Sequence, residues 1–213
     1  MDASSTVANH HADHPGFAGV GGLLIGLIMS AAGGAVARLV ADLASVSGTD
    51  RVIDIGCGPG TAAREAARRG ASVTGVDPAP VMLRLARALT RHRSRLSWTE
   101  GTAEDLRLPD GSATVAWSLA TVHHWRDLTA GLAECKRVLS PGGRFLAVER
   151  RSPPGATGLA SHGWTEQQAE SFATQCRGAG FDDVHVERHQ PGRRPLFVVT
   201  AIRPTRRDAA GSA

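Results

Sequence analysis

Three alternating glycines, Gly56, Gly58 and Gly60, follow the apolar run Val52-Ile53-Asp54-Ile55, and a second run, Ser72-Val73-Thr74-Gly75-Val76, ends in Asp77. A strand that runs straight into a glycine turn, with a carboxylate closing the next strand, is how an open α/β sheet holds an adenosine-containing cofactor. Glycine has no Cβ, so the backbone at these three positions can take positive φ and let a ligand approach the main chain. Spacing then separates the cofactors. A dinucleotide site wants G-x-G-x-x-G, and Thr61 stands where the third glycine would be. A P-loop needs Lys-Ser or Lys-Thr after the glycines, whereas the chain's single lysine is Lys136.

S-adenosylmethionine (SAM) carries no phosphate. Its tail is an amino acid, its centre a sulfonium, and its ribose offers two vicinal hydroxyls. A carboxylate at the end of the second strand can accept from both, and charged acceptors bond about twice as strongly as neutral ones. Asp77 stands in that position.

At this point the chain resembles the class I SAM-dependent methyltransferases, in particular the small-molecule branch that includes ubiquinone/menaquinone-type and related O- and N-methyltransferases. The resemblance covers 45–202 and rests on ordered matches. Asp54-Ile55-Gly56-Cys57-Gly58-Pro59-Gly60 looks like the first motif, and Asp77, followed by Pro78, like the ribose-binding acid. The run Gly101-Thr102-Ala103-Glu104-Asp105-Leu106-Arg107-Leu108-Pro109 looks like the adenine loop. Trp117-Ser118-Leu119-Ala120 resembles the end of the fourth strand beside the methyl group, and Arg137-Val138-Leu139-Ser140-Pro141-Gly142-Gly143 the turn before the fifth. The resemblance implies SAM as cofactor, S-adenosylhomocysteine as product, and contacts from Asp54, Gly56, Cys57, Gly58, Gly60, Asp77, Pro78, Thr102, Ala103, Glu104 and Ser118. Many relatives have aspartate where Thr102 stands, which implies a weaker or different adenine contact here. Cys57 is expected to serve that turn as a small packing residue.

Methyl transfer from a sulfonium is an in-line displacement with an activated leaving group, so the protein contributes mainly by positioning. A base is needed when the acceptor arrives protonated. Ligands of open α/β sheets lie beyond the carboxyl ends of the strands, so 119–125 should face the methyl group or its acceptor. His123 and His124 lie there and are the candidate bases, an imidazole being neutral near pH 7. The resemblance also implies that one of them can be merely packed. Glu149, at the end of the fifth strand, is the third catalytic candidate, set against an ion pair at a strand end, with Arg150 beside it as a grip for an acidic acceptor. The linker 151–163 is too short for an inserted cap domain. The acceptor pocket should therefore be closed by the amino-terminal arm, the 119–126 loop and this linker, lined by Phe17, Trp125, His162 and Trp164. No metal site is expected: the cysteines lack ligand spacing, and His10, Asp13 and His14 only resemble a ligand set.

The elements that would position these groups alternate. Strands are expected at 51–55, 72–76, 96–100, 113–118 and 143–149, with helices at 61–69, 80–91, 126–137 and 165–178. A terminal hairpin spans 183–189 and 196–202. Alternation of this kind predicts an α/β fold, a seven-stranded doubly wound sheet, mostly parallel with one antiparallel strand near the C-terminus. The 213 residues fit one such domain, organised as an arm and lid helix over 1–44, a SAM-binding domain over 45–202 and a disordered tail over 203–213. Residues 16–37 are free of formal charge and long enough to span a bilayer, but their glycine, alanine and serine content favours a packed or lid helix over a span.

The net charge is +4, with arginines at 84, 87, 91, 93 and 95 along one helix and its exit. The remaining basic residues are scattered among 20 acids, so solvated helix faces are favoured over nucleic-acid binding. Three cysteines without disulfide spacing and no cleavable leader point to the cytoplasm. The reading is therefore a methyltransferase acting on an oxygen or nitrogen of a small metabolite, with a homodimer left open. The alternatives are a non-catalytic SAM-binding or membrane-associated protein, an RNA methyltransferase using the arginine-rich helix, and a nicotinamide dehydrogenase, which Thr61 disfavours. The absence of an Asn-Pro-Pro-Tyr-like run at 117–120 argues against nucleobase amines.

Overall fold

Successive side chains of a strand face opposite sides of a sheet, and in this chain both sides are apolar. Ile53 and Ile55 join one core and Val52 the other; Ala116 joins the first, Val115 and Trp117 the second. Strands of this kind must be covered on both faces, which is what crossover helices between parallel strands supply. The computed structural model describes residues 8–10, 33–90 and 94–205, the side chain of Leu159 apart.

The elements run in chain order: α1 (Gly34–Leu43), β1 (Arg51–Ile55), α2 (Thr61–Arg68), β2 (Ser72–Asp77), α3 (Pro80–Leu89), β3 (Leu96–Glu100) and β4 (Ala113–Leu119). A 3₁₀ turn (Val122–His124), α4 (Leu128–Val138), β5 (Leu139–Arg150), a second 3₁₀ turn (Gly158–Ser161), α5 (Glu166–Gly178), β6 (Asp182–His189) and β7 (Leu196–Ile202) follow. The sheet order is β3-β2-β1-β4-β5-β7-β6, with β7 antiparallel to both its neighbours and every other pairing parallel. The expected fold class is thus observed. The order reverses between β1 and β4, so the crevice for a ligand opens beyond the carboxyl ends of these two strands.

One face is covered by α1 and α2, whose small buried residues (Ala37, Ala41, Ala62, Ala63, Ala66) let the helices approach each other and the sheet. The other face is built from α4, α5 and the aromatic group Trp125, Phe145, Trp164, Phe172 and Phe181. Two helices are capped by side chains. Asp127 accepts from Thr129 and Ala130 at the start of α4, and Thr165 with Gln168 forms a capping box at α5.

β5 begins at Leu139, four residues before the expected start, because Leu139 pairs with Ala113 across a register shift. Arg203, assigned to the tail, is instead held to the sheet. Its N–H donates to Gly143 O at 2.8 Å, and its guanidinium donates to Arg137 O at 3.1 Å. The expected lid over 16–32, Phe17, Asp13, His14, Arg91, Arg93 and the residues after 205 lie outside the described residues. Of the arginines along α3 and its exit, Arg87 donates to Trp98 O and Arg95 to Gly70 O, so both serve the fold. Among the described residues no helix is long and apolar enough to cross a membrane.

Candidate functional site

The glycine turn leaves β1 with φ of +68° at Gly56, +52° at Gly58 and +77° at Gly60. All three values lie where L side chains are disfavoured. Gly56 and Cys57 both donate to Val76 O, at 2.8 and 3.0 Å, which ties the turn to the end of β2. At Gly56 and Gly60 the place of the missing side chain is taken by the protein itself. A Cβ on Gly56 would stand 2.6 Å from Thr121 Cγ2, and one on Gly60 2.2 Å from the Trp98 ring, which also covers Gly75. At these two positions the protein's own packing demands glycine. Thr121 and Trp98 were not singled out in the sequence, since nothing local marks a residue that packs on a glycine from another strand.

Asp77 behaves as the turn's counterpart. Its Oδ2 accepts from Gly58 N and its Oδ1 from Ala79 N, both at 2.8 Å. Burial pushes its carboxyl above the usual range while these two N–H groups pull it back. Each oxygen keeps a second acceptor direction. Pro78 is exposed beside it, at the carboxyl edge of the sheet. Asp54 is buried more deeply, accepts from Ala63 N in the first turn of α2 at 3.1 Å, and is pushed up to about 7 by desolvation. The Trp117 indole, opposite it across the β1–β4 pair, favours the carboxylate and pulls in the other direction. Cys57 is a packed thiol as expected, burial holding its pKa well up.

Two residues assigned to the cofactor also carry bonds within the protein. Ser118 is fully buried and its hydroxyl lies 2.5 Å from Thr121 Oγ1, so it orients Thr121 over Gly56. Glu104 directs Oε1 to the N–H groups of Arg126 and Asp127, at 2.7 and 3.2 Å. Those donors precede α4 and would otherwise lack an acceptor, so the acid ties the 101–105 loop to the segment after β4. Thr102 closes that loop in a two-way backbone pair with Asp105, which leaves Ala103 buried at its tip.

Beyond β4 the chain turns sharply. Ala120 has φ of +55° and its N–H donates to Val148 O at 2.7 Å. The 3₁₀ turn that follows carries His123 and His124, whose ring centroids are 4.1 Å apart. Glu149 is fully buried and pairs with His123 rather than Arg150: its Oε2 is 2.9 Å from His123 Nδ1, and its Oε1 is 3.4 Å from the His123 backbone N. His162 arrives from the linker, 5.5 Å from both other rings, and one ligand atom from each of the three imidazoles lies within 4.8 Å of the others. The base of that linker is pinned by the Arg151–Trp164 bridge, and Arg150 donates to His162 O at 2.9 Å. Arg150 therefore anchors the linker, and burial lowers its pKa.

Residues 8–10 dock over the same place. Trp164 Nε1 donates to Ala8 O, Asn9 Nδ2 donates to Trp125 O, and His10 Nε2 lies 2.8 Å from Ser161 O with its ring 6.0 Å from that of His123. Residues 8–10, the turn after β4 and the linker thus meet here, and Trp125 and Trp164 are buried and pack on Phe172. A separate cavity of about 310 Å³ lies at the amino ends of β1 and β2, against Arg51, Ser72, Arg95 and Ser112. It is at the opposite edge from the glycine turn, and open parallel sheets bind their ligands at the carboxyl edge.

Comparison with known proteins agrees with this geometry. Residues 53–147 match the family described as Methyltransferase domain. The demethylmenaquinone methyltransferase of Tropheryma whipplei is 33% identical over 116 residues, 54% of this chain and 48% of that protein. The ubiquinone biosynthesis O-methyltransferase of Xanthomonas oryzae pv. oryzae is 36% identical over 106 residues, 48% of this chain and 44% of that one. The chain thus spans about half the length of the curated relatives it matches. Among solved structures, the S-adenosylmethionine dependent methyltransferase of Mesorhizobium loti has a TM-score of 0.66 at 23% identity, covering 82% of this chain and all of that one. The cyclase SpnF has a TM-score of 0.70 at 20% identity, covering 92% and 87%. The matched segment is thus similar to a methyltransferase domain, and the fold is the Rossmann-like one of the solved methyltransferase structures. The two curated relatives named above are quinone methyltransferases by name.

Proposed function

We propose that the chain binds SAM at the carboxyl edge of β1 and β2 and transfers its methyl group to an oxygen or nitrogen of a small-molecule acceptor. The observation that carries the reading is Asp77: a buried carboxylate fixed by two backbone N–H groups, with one acceptor direction left on each oxygen for the two ribose hydroxyls. The turn at Gly56, Gly58 and Gly60 would support the amino-acid tail, and the loop at Thr102 and Ala103 the adenine. The cyclase SpnF shares this fold, which is a reason to argue from the site and not from the fold.

In the transfer, a lone pair on the acceptor attacks the methyl carbon in line. The C–S bond breaks with its electrons passing to sulfur, and neutral S-adenosylhomocysteine leaves. Holding the two reactants in line is worth about 7–11 kcal/mol of barrier. An acceptor that arrives protonated meets the His123, His124 and His162 rings, with Glu149 accepting from His123 Nδ1 and leaving Nε2 as the basic atom presented to the pocket. The names of the relatives support a quinone-like ring as acceptor, and the docking of residues 8–10 against Ser161 and Trp164 supports a small one. The test is calorimetry with S-adenosylhomocysteine, followed by labelled SAM with cell extract and with hydroxylated naphthoquinones and benzoquinones. Micromolar binding and label in an extractable small molecule are expected. Failure to bind S-adenosylhomocysteine overturns the reading.

A further inference from the structure

The three-histidine cluster holds more than a general base requires. We propose that His123, His124 and His162 form a site for a divalent transition metal of the zinc class, with Glu149 as the group that orients His123. Three imidazoles with one position open is the ligand set of catalytic zinc sites, and imidazole is the donor that suits zinc, cobalt and nickel rather than magnesium or calcium. A ligating histidine typically donates its other ring N–H to a carboxylate, which fixes tautomer and ring orientation. His123 has that partner in Glu149 Oε2 at 2.9 Å, so its ligand atom is Nε2.

The three elements are also held independently of any ion. His123 and His124 sit on the turn after β4, pinned through Ala120 N to Val148 O. His162 is fixed by its carbonyl's bond to Arg150 and by the Arg151–Trp164 bridge. One ring nitrogen of each imidazole lies within 4.8 Å of the others, and a tetrahedral ion with bonds near 2.0–2.1 Å needs them about 3.4 Å apart. Side-chain rotation of the half-buried His124 and His162 would have to close that difference while the buried His123 stays on Glu149. His10 is a further imidazole beside the cluster, 6.0 Å from His123 ring to ring, and Arg150 is a neighbouring cation, its charge set against that of Glu149.

The metal site stands on this histidine geometry alone; its use rests on the methyl-transfer reading. There the open position would take an ionisable oxygen of the acceptor, bound as its anion after its proton has left to water. The two modes are exclusive, since a nitrogen that ligates an ion accepts no proton.

The experiment uses the full chain stripped with a chelator and titrated with cobalt(II) chloride, then competed with zinc chloride, with S-adenosylhomocysteine calorimetry on the same samples. One equivalent of cobalt with visible absorption bands of nitrogen ligation is expected. His162→Ala should lose the bands while keeping its thermal melt, and Glu149→Gln should weaken cobalt binding roughly 10- to 100-fold. Absence of saturable binding, or bands unchanged in both His162→Ala and His124→Ala, overturns the metal site. If S-adenosylhomocysteine still binds in that case, the methyl-transfer reading survives. If cobalt binds and S-adenosylhomocysteine does not, the metal site stands and the methyl-transfer reading falls.

Discussion

Removing the Asp77 carboxylate separates the proposed cofactor site from a merely structural carboxylate. Its oxygens each hold one backbone N–H at 2.8 Å and would each take one ribose hydroxyl. Hydrogen bonds to a charged acceptor are worth about 1.5–3 kcal/mol each, so two hydroxyls amount to about 3–6 kcal/mol. At 1.4 kcal/mol per tenfold, Asp77→Ala should weaken S-adenosylhomocysteine roughly 100- to 10,000-fold. The same change leaves Gly58 N and Ala79 N without their acceptor, at about 1–3 kcal/mol each. Part of that is offset because burial makes the charge itself costly, which is the cause of the raised pKa. A net loss of about 1–3 kcal/mol lowers Tm by roughly 2–12 °C for a chain of this size. The assay is calorimetry at a temperature where thermal melts find both proteins folded. A folded Asp77→Ala protein that binds S-adenosylhomocysteine like the wild type refutes the assignment. Asp77→Asn is the finer probe: one amide group must point a donor at a backbone N–H, so it too should bind poorly although its shape is conserved.

Three other changes test the frame around that site. Gly56→Ala places a Cβ at φ +68° and 2.6 Å from Thr121, which should cost about 1–2 kcal/mol for the backbone and 1–3 for overpacking; calorimetric melts should show Thr121→Gly restoring only the packing part. Asp54 has a folded pKa of about 7 against 3.8, so the native state binds its proton more tightly, and stability present below pH 4 falls as pH rises towards 7, by about 4 kcal/mol at most. Asp54→Asn should flatten that fall in Tm measured across the window, and an unchanged slope would remove Asp54 as its source. Glu104→Ala frees the N–H groups of Arg126 and Asp127, and hydrogen exchange at those two amides should quicken before any loss of global stability.

The sheet was legible because strand and helix periods in this chain do not compete. Ile53 and Ile55 against Val52, and the alanines of α2, declare both faces of the sheet locally. Where boundaries moved, a distant partner moved them: Leu139 joins β5 by pairing with Ala113, and Arg203 stays ordered through Gly143. In the site, Asp77 was readable because a carboxylate at a strand end next to a glycine turn has few other uses. For Ser118 and Glu104 the motif position was visible but their bonds within the protein were not, since the partners, the hydroxyl of Thr121 and the orphan donors before α4, are set by the fold. The pairing of Glu149 with His123 joins positions 26 residues apart on neighbouring strand ends, which only the sheet order brings together.

The same division bears on what the chain's relatives can say about its acceptor. Asp54, the glycine turn, Asp77 and the two histidines after β4 fall inside the matched segment 53–147. Glu149, Arg150, His162 and the docked residues Ala8, Asn9 and His10 fall outside it, yet under the proposed function they would wall the acceptor's place. Loops set specificity while the sheet sets the cofactor. Changes at His10 or Asn9 should therefore alter which acceptor is turned over and its KM, leaving S-adenosylhomocysteine affinity as it was. Asn9→Ala removes a single bond to Trp125 O, and a parallel fall in S-adenosylhomocysteine binding would mean that the two pockets are not separable in this chain.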